Sequence, residues 1–276
     1  MNKFASTFVK LGLILLGIGL IIIIAALVGG ADFRDTRSII SRHNFDFDFD
    51  FDNSYVTKTI STENVNFNEI TEIDIELEAA RVHFEKGERF SVETISQNGR
   101  TIDVSTRGNH TLALRFRASH ILSNNQVPEI IITLPENLSV HTFSVQLGAG
   151  KIVGELDVYC DYGFFEVGAG QIDLTGIHSK KTDINCGVGS LNLQGEFEGK
   201  TDIDCGMGSV TLVVQNSSLP YSWDGEVGMG HISIFENELN GIGERRSKSH
   251  ETNHFSVECG MGSIIITSED SNRRDW

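Results

Sequence analysis

The stretch Thr201-Asp-Ile-Asp-Cys-Gly-Met-Gly-Ser-Val210 is one copy of a motif that returns through the second half of the chain. Its centre is Gly-x-Gly, with an apolar residue before it and another two positions after it. The six copies are Leu147–Ile152, Val167–Ile172, Cys186–Leu191, Cys205–Val210, Val227–Ile232 and Cys259–Ile264. Their first glycines stand at 148, 168, 187, 206, 228 and 260, so the spacings are 20, 19, 19, 22 and 32 residues. A period of this length predicts stacked units that bury their apolar faces only against one another.

Within one copy, apolar and polar residues alternate on both sides of the glycines. Ile203 and Cys205 come before the pair, and Val210 and Leu212 come after it. Alternation with a period of two predicts two short strands that meet at a tight glycine turn, with the polar residues Thr201, Asp202, Asp204, Ser209 and Thr211 facing outward. Equivalent strands of successive coils then lie parallel, about 4.8 Å apart. The predicted fold is therefore all-β, a parallel β-solenoid with coils of about 19–20 residues.

The repeat sets the domain boundaries. Clear Gly-x-Gly copies occupy 141–267, and a polar tail follows at 268–276. Leu77–Val82 matches the repeat with its glycines lost, which predicts that an irregular β region over 55–140 begins the solenoid. Within that region the pattern predicts strands at 90–96, 101–106, 111–117 and 129–134.

The glycines of the repeat are predicted to be structural turns. The chain has 28 Gly but only 3 Pro, and twelve of the glycines form the six pairs. A phosphate-binding loop would need a helix after the glycines, whereas each pair here is followed by an alternating β segment. The predicted turn residues are Gly148, Gly150, Gly168, Gly170, Gly187, Gly189, Gly206, Gly208, Gly228, Gly230, Gly260 and Gly262.

Three cysteines share one position of the repeat. Cys186, Cys205 and Cys259 stand where other copies have Leu147, Val167 or Val227. A position that accepts all these residues is an inward apolar one, so we expect a stack of buried thiols. Cys186 and Cys205 would lie on adjacent coils, close enough for a disulfide to be conceivable. Metal ligands must converge on one point, and a column of thiols does not, so no metal or other cofactor is expected.

The amino-terminal region predicts a membrane anchor. Residues 11–28 carry no charged or polar side chain, and Gly29, Gly30 and Ala31 extend this run to the length of a bilayer-spanning helix. Lys3 and Lys10 precede it, so residues 1–10 are expected to be cytoplasmic and everything after residue 31 extracytoplasmic. A cleaved signal peptide is the alternative. Residues 32–54, with strict Phe-Asp alternation over 45–52, are interpreted as a linker.

The charge pattern argues against a nucleic-acid partner and distinguishes one insertion by its basic residues. With 22 Lys and Arg against 38 Asp and Glu, the net charge is −16, which argues against nucleic-acid binding. The longest spacing inserts about a dozen residues, and this insertion, 236–253, carries Arg245, Arg246 and Lys248. Insertions in repeat proteins often form the binding face. These three residues are a speculative binding loop for a cell-wall polymer phosphate or an anionic headgroup.

A second speculative site is a row of carboxylates on the outer face. Asp183 and Asp202 are one coil apart, Asp204 lies beside them, and Lys181 and Lys200 follow the same register. In register, the first two carboxylates would stand about 5 Å apart, near the separation that retaining glycosidases use. However, every repeat protein projects its outward residues in rows, so a solvated acidic face explains the same pattern. No Ser/His/Asp or Cys/His arrangement can be picked out, and no catalytic residue is assigned.

The iterated units that pair Thr182-Asp-Ile184 and Thr201-Asp-Ile203 with Cys-Gly-x-Gly resemble a known family. It is the bacterial putative-adhesin family of membrane-anchored β-strand-repeat proteins, a domain of unknown function. The resemblance covers about residues 55–267 and concerns architecture more than letters, since the family often has Ser-Thr-Gly-Asp where this chain has Gly-Val-Gly-Ser or Gly-Met-Gly-Ser. It implies a β-solenoid ectodomain at the cell surface and supplies no catalytic residues.

The function expected from these observations is non-catalytic. We expect surface binding or adhesion, or an accessory role in cell-envelope stress, with a cell-wall polymer or a membrane protein as partner. Two alternatives remain open at this stage. One is a carbohydrate-active β-helix enzyme that uses the outer Asp row, and the other is a lateral regulator of a membrane sensor.

Overall fold

Alternating apolar side chains form an all-β body whose strands share one sheet. The structure, a computed structural model, describes residues 56–61, 69–96, 102–107, 110–117, 127–215, 219–247 and 251–269. All of them belong to one unit, 52–276. The strands are β1 (Val56–Ser61), β2 (Glu72–Gly87), β3 (Ser91–Ser96), β4 (Asp103–Arg107), β5 (Thr111–Phe116), β6 (Glu129–Pro135), β7 (Leu138–Cys186), β8 (Ser190–Cys205), β9 (Ser209–Val214), β10 (Tyr221–Val227), β11 (His231–Ile234), β12 (Asn237–Asn240), β13 (Gly243–Arg246), β14 (Asn253–Cys259) and β15 (Ser263–Ser268). The predicted all-β class is confirmed.

The chain stays extended for longer than two short strands per coil would allow. Strand β7 runs for 49 residues and passes through the first two Gly-x-Gly corners without leaving the β conformation. The later corners, 187–189, 206–208, 228–230 and 260–262, are bends between separate strands. At the first two glycine pairs the ladder continues around the corner, whereas the last four pairs interrupt it.

Successive coils stack in parallel register, one repeat apart. Ile184 lies opposite Ile203 and Cys186 opposite Cys205 along β7 and β8, and β8 pairs with β9 in the same way, Leu191 opposite Val210. This stacking forms the core, because the inward residues of each coil contact those of the next. Ile203, Cys205, Val210 and Leu212 are all buried, as the alternation predicts.

The order of the coils differs from their order in the chain. We call each coil a rung and name it by the first glycine of its corner. Rung 260 lies between rungs 206 and 228: β14 pairs with β8, Cys259 opposite Cys205, and β10 pairs with β14, Val227 opposite Cys259. The same order holds after the corner, where β15 lies between β9 and β11. The expectation that successive copies always stack is therefore wrong for the last two.

A similar insertion occurs at the opposite end of the stack. Strand β2, the copy without glycines, pairs with β7 on one side and with both β5 and β6 on the other. The predicted strands of the irregular region are present as β3 to β6. Of these, β5 and β6 form the first rung, and β2 lies between it and the rest.

Antiparallel strands close both ends of the stack. At one end β4 pairs with β5 and β3 pairs with β6. At the other end β12 pairs with β11 and β13 with β10. The long insertion, expected as a loop, therefore contains two short edge strands that cover rung 228. Covering strands of this kind protect the ends of a repeat stack.

The glycine pairs exist because adjacent rungs approach closely at the corner. A Cβ atom added at Gly208 would lie 2.3 Å from the carbonyl oxygen of Gly189 and 2.6 Å from Cys186 Sγ. Left-handed backbone is not the general reason, because among the twelve repeat glycines only Gly150 has a positive φ, 111°. In β2 the residue in register with Gly150 is Ala80.

One predicted outward residue faces inward. Thr201 is 1% exposed, and its neighbour in the adjacent rung, Thr182, is fully buried. Both have the same parity as Ile203 and Cys205, and large apolar residues such as Phe255 and Trp223 occupy the matching position in rungs 260 and 228. The interior at this height therefore tapers from aromatic to β-branched side chains.

Among the residues that the structure describes, no helix is long and apolar enough to cross a membrane. The predicted membrane segment, 11–31, and the linker, 32–54, lie outside the described residues, as do 1–10 and most of the tail. These assignments stay predictions.

Candidate functional site

The acidic row lies on the outward face of the strands that precede each corner. Asp183 and Asp202 are paired in register, and Ser256 of rung 260 comes next to Asp202. Lys200 Nζ lies 2.7 Å from Asp202 Oδ1, and Tyr162 donates a 2.6 Å hydrogen bond to Asp183 Oδ2. The carboxylates of Asp183 and Asp202 are thus each held by a neighbouring side chain.

The neighbouring column places three carboxylates in succession. Asp204 lies between Asn185 and Glu258 in register, and Glu226 follows Glu258. Partial burial raises the pKa of Asp204, and the carboxylates of Asp202 and Asp183 add to the effect. Burial and then Asp204 raise the pKa of Glu258 in the same manner. Like charges at neighbouring rungs repel, so this column attracts cations without being arranged around one.

A serine, a histidine and an aspartate come together at the end of the stack, where the sequence indicated no such arrangement. Ser222 Oγ lies 2.8 Å from His254 Nδ1, and His254 Nε2 lies 2.6 Å from Asp224 Oδ1. The pairing of β10 with β14 creates this contact between residues 32 positions apart. However, Ser222 is 2% exposed while the Asp224 side chain is 44% exposed.

That burial is the reverse of what a nucleophilic triad requires. Catalytic triads bury the carboxylate and present the hydroxyl to substrate. Here the Ser222 hydroxyl accepts a 3.1 Å hydrogen bond from the Glu251 amide, which fixes the start of β14. The three residues therefore anchor a strand at the edge of the acidic face.

Two basic residues of the insertion belong to an edge strand. Arg245 and Arg246 lie in β13, opposite Gly225 and Asp224 of β10, and both are exposed. Arg246 Nη2 donates a 2.6 Å hydrogen bond to Glu244, and Arg245 Nη1 contacts the Glu238 carbonyl at 3.3 Å. Lys248 lies outside the described residues. The two arginines therefore border the acidic columns instead of forming a separate loop.

The repeat cysteines form one buried column. Cys186, Cys205 and Cys259 are neighbours in that order, because rung 260 follows rung 206. All are free thiols. Hydrogen bonds between these thiols shift their pKa values in opposite directions. The bond with Cys205 lowers the pKa of Cys186, and the same contact raises the pKa of Cys205 to about 11. Among the described residues, no group of three or more His, Cys, Asp or Glu side chains is arranged to hold a metal ion.

A groove with a different character lies on the side of the stack where one coil passes into the next. It encloses about 310 Å3 and is lined by Thr71, Ser139, Val140, His141, Tyr159, Cys160, Asp161, His178, Ser179, Lys180, Glu196 and Glu198. Neither the glycine pattern nor the charge pattern indicated it. We call it the Tyr159 groove.

One wall of the Tyr159 groove is a three-member ionic column. His141 Nδ1 lies 2.6 Å from Asp161 Oδ2, and Lys180 Nζ lies 2.7 Å from Asp161 Oδ1. The hydrogen bonds from Lys180 and His141 lower the pKa of Asp161, which therefore stays ionised. Its carboxylate is occupied by its neighbours, so Asp161 organises the wall.

The other wall is an aromatic stack. The rings of Tyr159 and His178 are parallel, with centroids 4.3 Å apart and an interplanar angle of 8°. His178 Nδ1 lies 3.2 Å from Glu196 Oε2 on the next coil. Below the walls, burial raises the pKa of Cys160 to about 11, so this floor thiol stays protonated and neutral.

Two bulges shape this side of the stack. The register between β7 and β8 shifts between Thr175 and Ile177 and again between Ser179 and Lys181. Gly176, at the first shift, has a φ of 77°, a conformation that glycine adopts without strain. Between the two shifts, His178 and Glu196 come opposite each other and face the groove. Bulges often re-aim side chains at functional sites.

The repeat period contains a signal for this groove that counting glycines does not reveal. His141, Asp161 and Lys180 are 20 and 19 residues apart, and Tyr159 and His178 are 19 apart. These are the spacings of the corners themselves, so the residues had to form columns. For Ser222 and His254 there was no such signal, because their contact depends on the inserted rung.

Comparison with solved structures finds similar chains among bacterial proteins described as putative adhesins. A putative cell adhesion protein from Clostridium sporogenes has 16% identity and a TM-score of 0.48, over 78% of this chain and 100% of that one. A putative adhesin from Bacteroides fragilis has 14% identity and a TM-score of 0.32, over 77% and 96%. A putative adhesin from Parabacteroides merdae has 11% and 0.33, over 78% and 94%. Comparison with curated proteins finds no match.

Comparison with family models finds a family that agrees with the repeat architecture. The model described as Toastrack DUF4097 matches residues 59–219. The match begins in β1 and includes the rungs with corners at 148, 168, 187 and 206, which is more than half of the chain. The resemblance drawn from the repeat units is thereby confirmed: the chain belongs to the Toastrack DUF4097 family, a domain of unknown function.

Proposed function

We propose that this protein is a non-catalytic, membrane-anchored extracytoplasmic β-repeat protein that acts by binding at the cell surface. The observation that carries the proposal is the display of polar side chains in straight columns on a continuous ladder, from Asp183 to Asp202 and onward. Columns spaced by one strand separation suit repeated contacts with an extended polymer, where weak contacts add up. A cell-wall polymer is the partner we favour.

Three features support binding over catalysis. The Asp183 and Asp202 carboxylates are both held by neighbours, so neither is set apart as an acid. Ser222 is buried and serves the backbone of β14. The Cys160 thiol is kept protonated by burial. These four side chains are therefore held in structural roles.

Binding is tested by sedimentation of the purified full-length protein with isolated cell walls. We expect co-sedimentation without release of reducing sugars. One variant removes the acidic row, Asp183→Ala with Asp202→Ala and Asp204→Ala, and a second replaces Arg245, Arg246 and Lys248 by alanine. The variant that loses binding identifies the face in contact. Absence of co-sedimentation, or sugar release that Ser222→Ala abolishes, would refute the proposal.

Anchoring is tested separately by cell fractionation. The full chain is expected in the membrane fraction, with its body accessible to added protease from outside. A variant with charged residues in the apolar run, Leu16→Asp and Ile22→Asp, should leave that fraction. Protection of the body in intact cells would contradict the orientation.

A further inference from the structure

The aromatic wall of the Tyr159 groove has one face covered and one face toward the groove. His178 covers the face toward the next coil. On the preceding coil the aligned position is Ser139, because Asn137 bonds Asp157 and His141 bonds Asp161 across the same two coils. A serine is too short to cover a phenol ring. Tyr159 accordingly remains 42% exposed.

The space beside that ring has the size of a small ligand site. Its volume of about 310 Å3 lies at the lower end of the usual range for small-molecule pockets. Ser139, Thr71 and Lys180 are among its lining residues. The groove therefore offers a flat apolar surface surrounded by both hydrogen-bond donors and acceptors.

The charges of the lining select the chemical class. Asp161 is neutralised by Lys180 and His141, which leaves the carboxylates of Glu196 and Glu198 as the excess charge. An anionic ligand such as a phosphate would be repelled by them. An apolar ligand would leave these polar groups unsatisfied. A ligand with many hydroxyl groups and one C–H face satisfies both requirements, because it stacks on the ring and bonds to the rim.

We propose that the Tyr159 groove binds a saccharide unit, with its apolar face on the Tyr159 ring and its hydroxyls on Glu196, Glu198 and Lys180. This inference rests on the proposed surface-binding function and gives it a site and a ligand class. It adds a contact to those proposed for the acidic row and the basic edge strand. The saccharide is held and undergoes no reaction.

Calorimetry and saturation-transfer NMR on the purified full-length protein test this site, with chitotriose as the neutral probe and its de-N-acetylated form as the amine-bearing one. A lysine pentapeptide serves as a cationic peptide probe. We expect binding of at least one of the two sugars. Tyr159→Ala should weaken it about tenfold, the usual value of one aromatic stack. Tyr159→Phe, which keeps the ring, should retain most of the affinity.

A second variant tests the Tyr159 groove without removing the tyrosine ring. Ser139→Phe places a side chain against the open face of Tyr159 and should abolish sugar binding while the melting temperature is unchanged or higher. Tyr162→Ala, a tyrosine on the acidic face, is the matched control and should bind sugars normally. NMR signals of the sugar should show its C–H face nearest the protein.

The outcomes separate this inference from the surface-binding proposal. Cell-wall sedimentation that survives both Tyr159→Ala and Ser139→Phe leaves surface binding intact and refutes the saccharide groove. Binding of the pentapeptide but of neither sugar also refutes it, since charge alone would then account for the ligand. Sugar binding that these variants remove, in a protein that does not sediment with walls, refutes the wall-polymer proposal and keeps the groove.

Discussion

Because the corner glycines of adjacent rungs approach closely, a single added methyl group there should lower the stability of the protein. A Cβ at Gly208 would stand 2.3 Å from the Gly189 oxygen and 2.6 Å from Cys186 Sγ. Gly208→Ala should therefore destabilise the protein by about 1–3 kcal/mol or more, because two rungs must move apart. Gly243→Ala is the control, since nothing lies within 4 Å of its added Cβ. Urea unfolding followed by circular dichroism measures both, and equal midpoints would contradict the crowding argument.

The charge on Asp204 makes the stability of the protein depend on pH. Burial and two neighbouring carboxylates raise the pKa of this group. The folded chain then holds its proton to higher pH than the unfolded chain, so stability is lost as pH rises from the ordinary carboxyl range through the raised value. Asp204→Asn removes that loss and should stabilise the protein at pH 7 by about 0.2–1 kcal/mol.

The gain should disappear near pH 3, where the carboxyl is protonated in both states. Asp173→Asn is the control, because Asp173 lies opposite the uncharged Asn192. Thermal unfolding at the two pH values measures the difference. An Asp204→Asn variant that is less stable at pH 7, or stabilised equally at both values, would show that repulsion does not govern this column.

At the scale of elements, the edge strand β13 has a protective role. It carries Arg245 and Arg246 at the rim of the stack, and charges on an edge discourage pairing with another sheet. Replacing both by valine should produce end-to-end association, visible by light scattering. The matched control replaces Arg81 and Lys151, which pair on interior strands and expose no edge. Association of the control variant alone would contradict this role.

Sequence reasoning succeeded for elements whose cause is local. The alternation around the glycines predicted buried Ile203, Cys205, Val210 and Leu212, and β3 to β6 lie close to their predicted limits. It failed for Thr201, where the parity of the strand outweighs the polarity of the side chain. It also missed the Tyr159 groove, because two bulges around Ile177 and Ser179 interrupt simple alternation there.

At the scale of the whole molecule, the order of the rungs could not be predicted from local pattern. Rungs 206 and 260 both read Cys-Gly-Met-Gly-Ser, so either fits the same neighbours. The column of cysteines held one clue, because Cys186, Cys205 and Cys259 become contiguous only if rung 260 precedes rung 228. Ser222, His254 and Asp224 were missed for the same reason, since their contact exists only in this order.

Cross-linking tests the order of the rungs directly. Ser209 lies opposite Ser263 in the β9–β15 pair, and His231 lies one rung further, opposite Ser263. The double variant Ser209→Cys with Ser263→Cys should form a disulfide readily under mild oxidation. Ser209→Cys with His231→Cys should not, although chain order would make these two adjacent. The native cysteines are all buried and should not interfere. The reverse result would show that rung 260 does not lie between rungs 206 and 228.

The inserted rung also has a consequence for how the chain is made. Strands β14 and β15 are the last of the described strands to be synthesised, yet they fill the position between rungs 206 and 228. Until they emerge, the growing chain has an unpaired edge at β8 and β9, and rung 228 is paired only with its covering strands β12 and β13. Long-range pairing of this kind slows folding, and open edges attract other chains. The body should therefore complete its folding only after synthesis reaches residue 268, which keeps the nascent chain dependent on protection by chaperones up to that point.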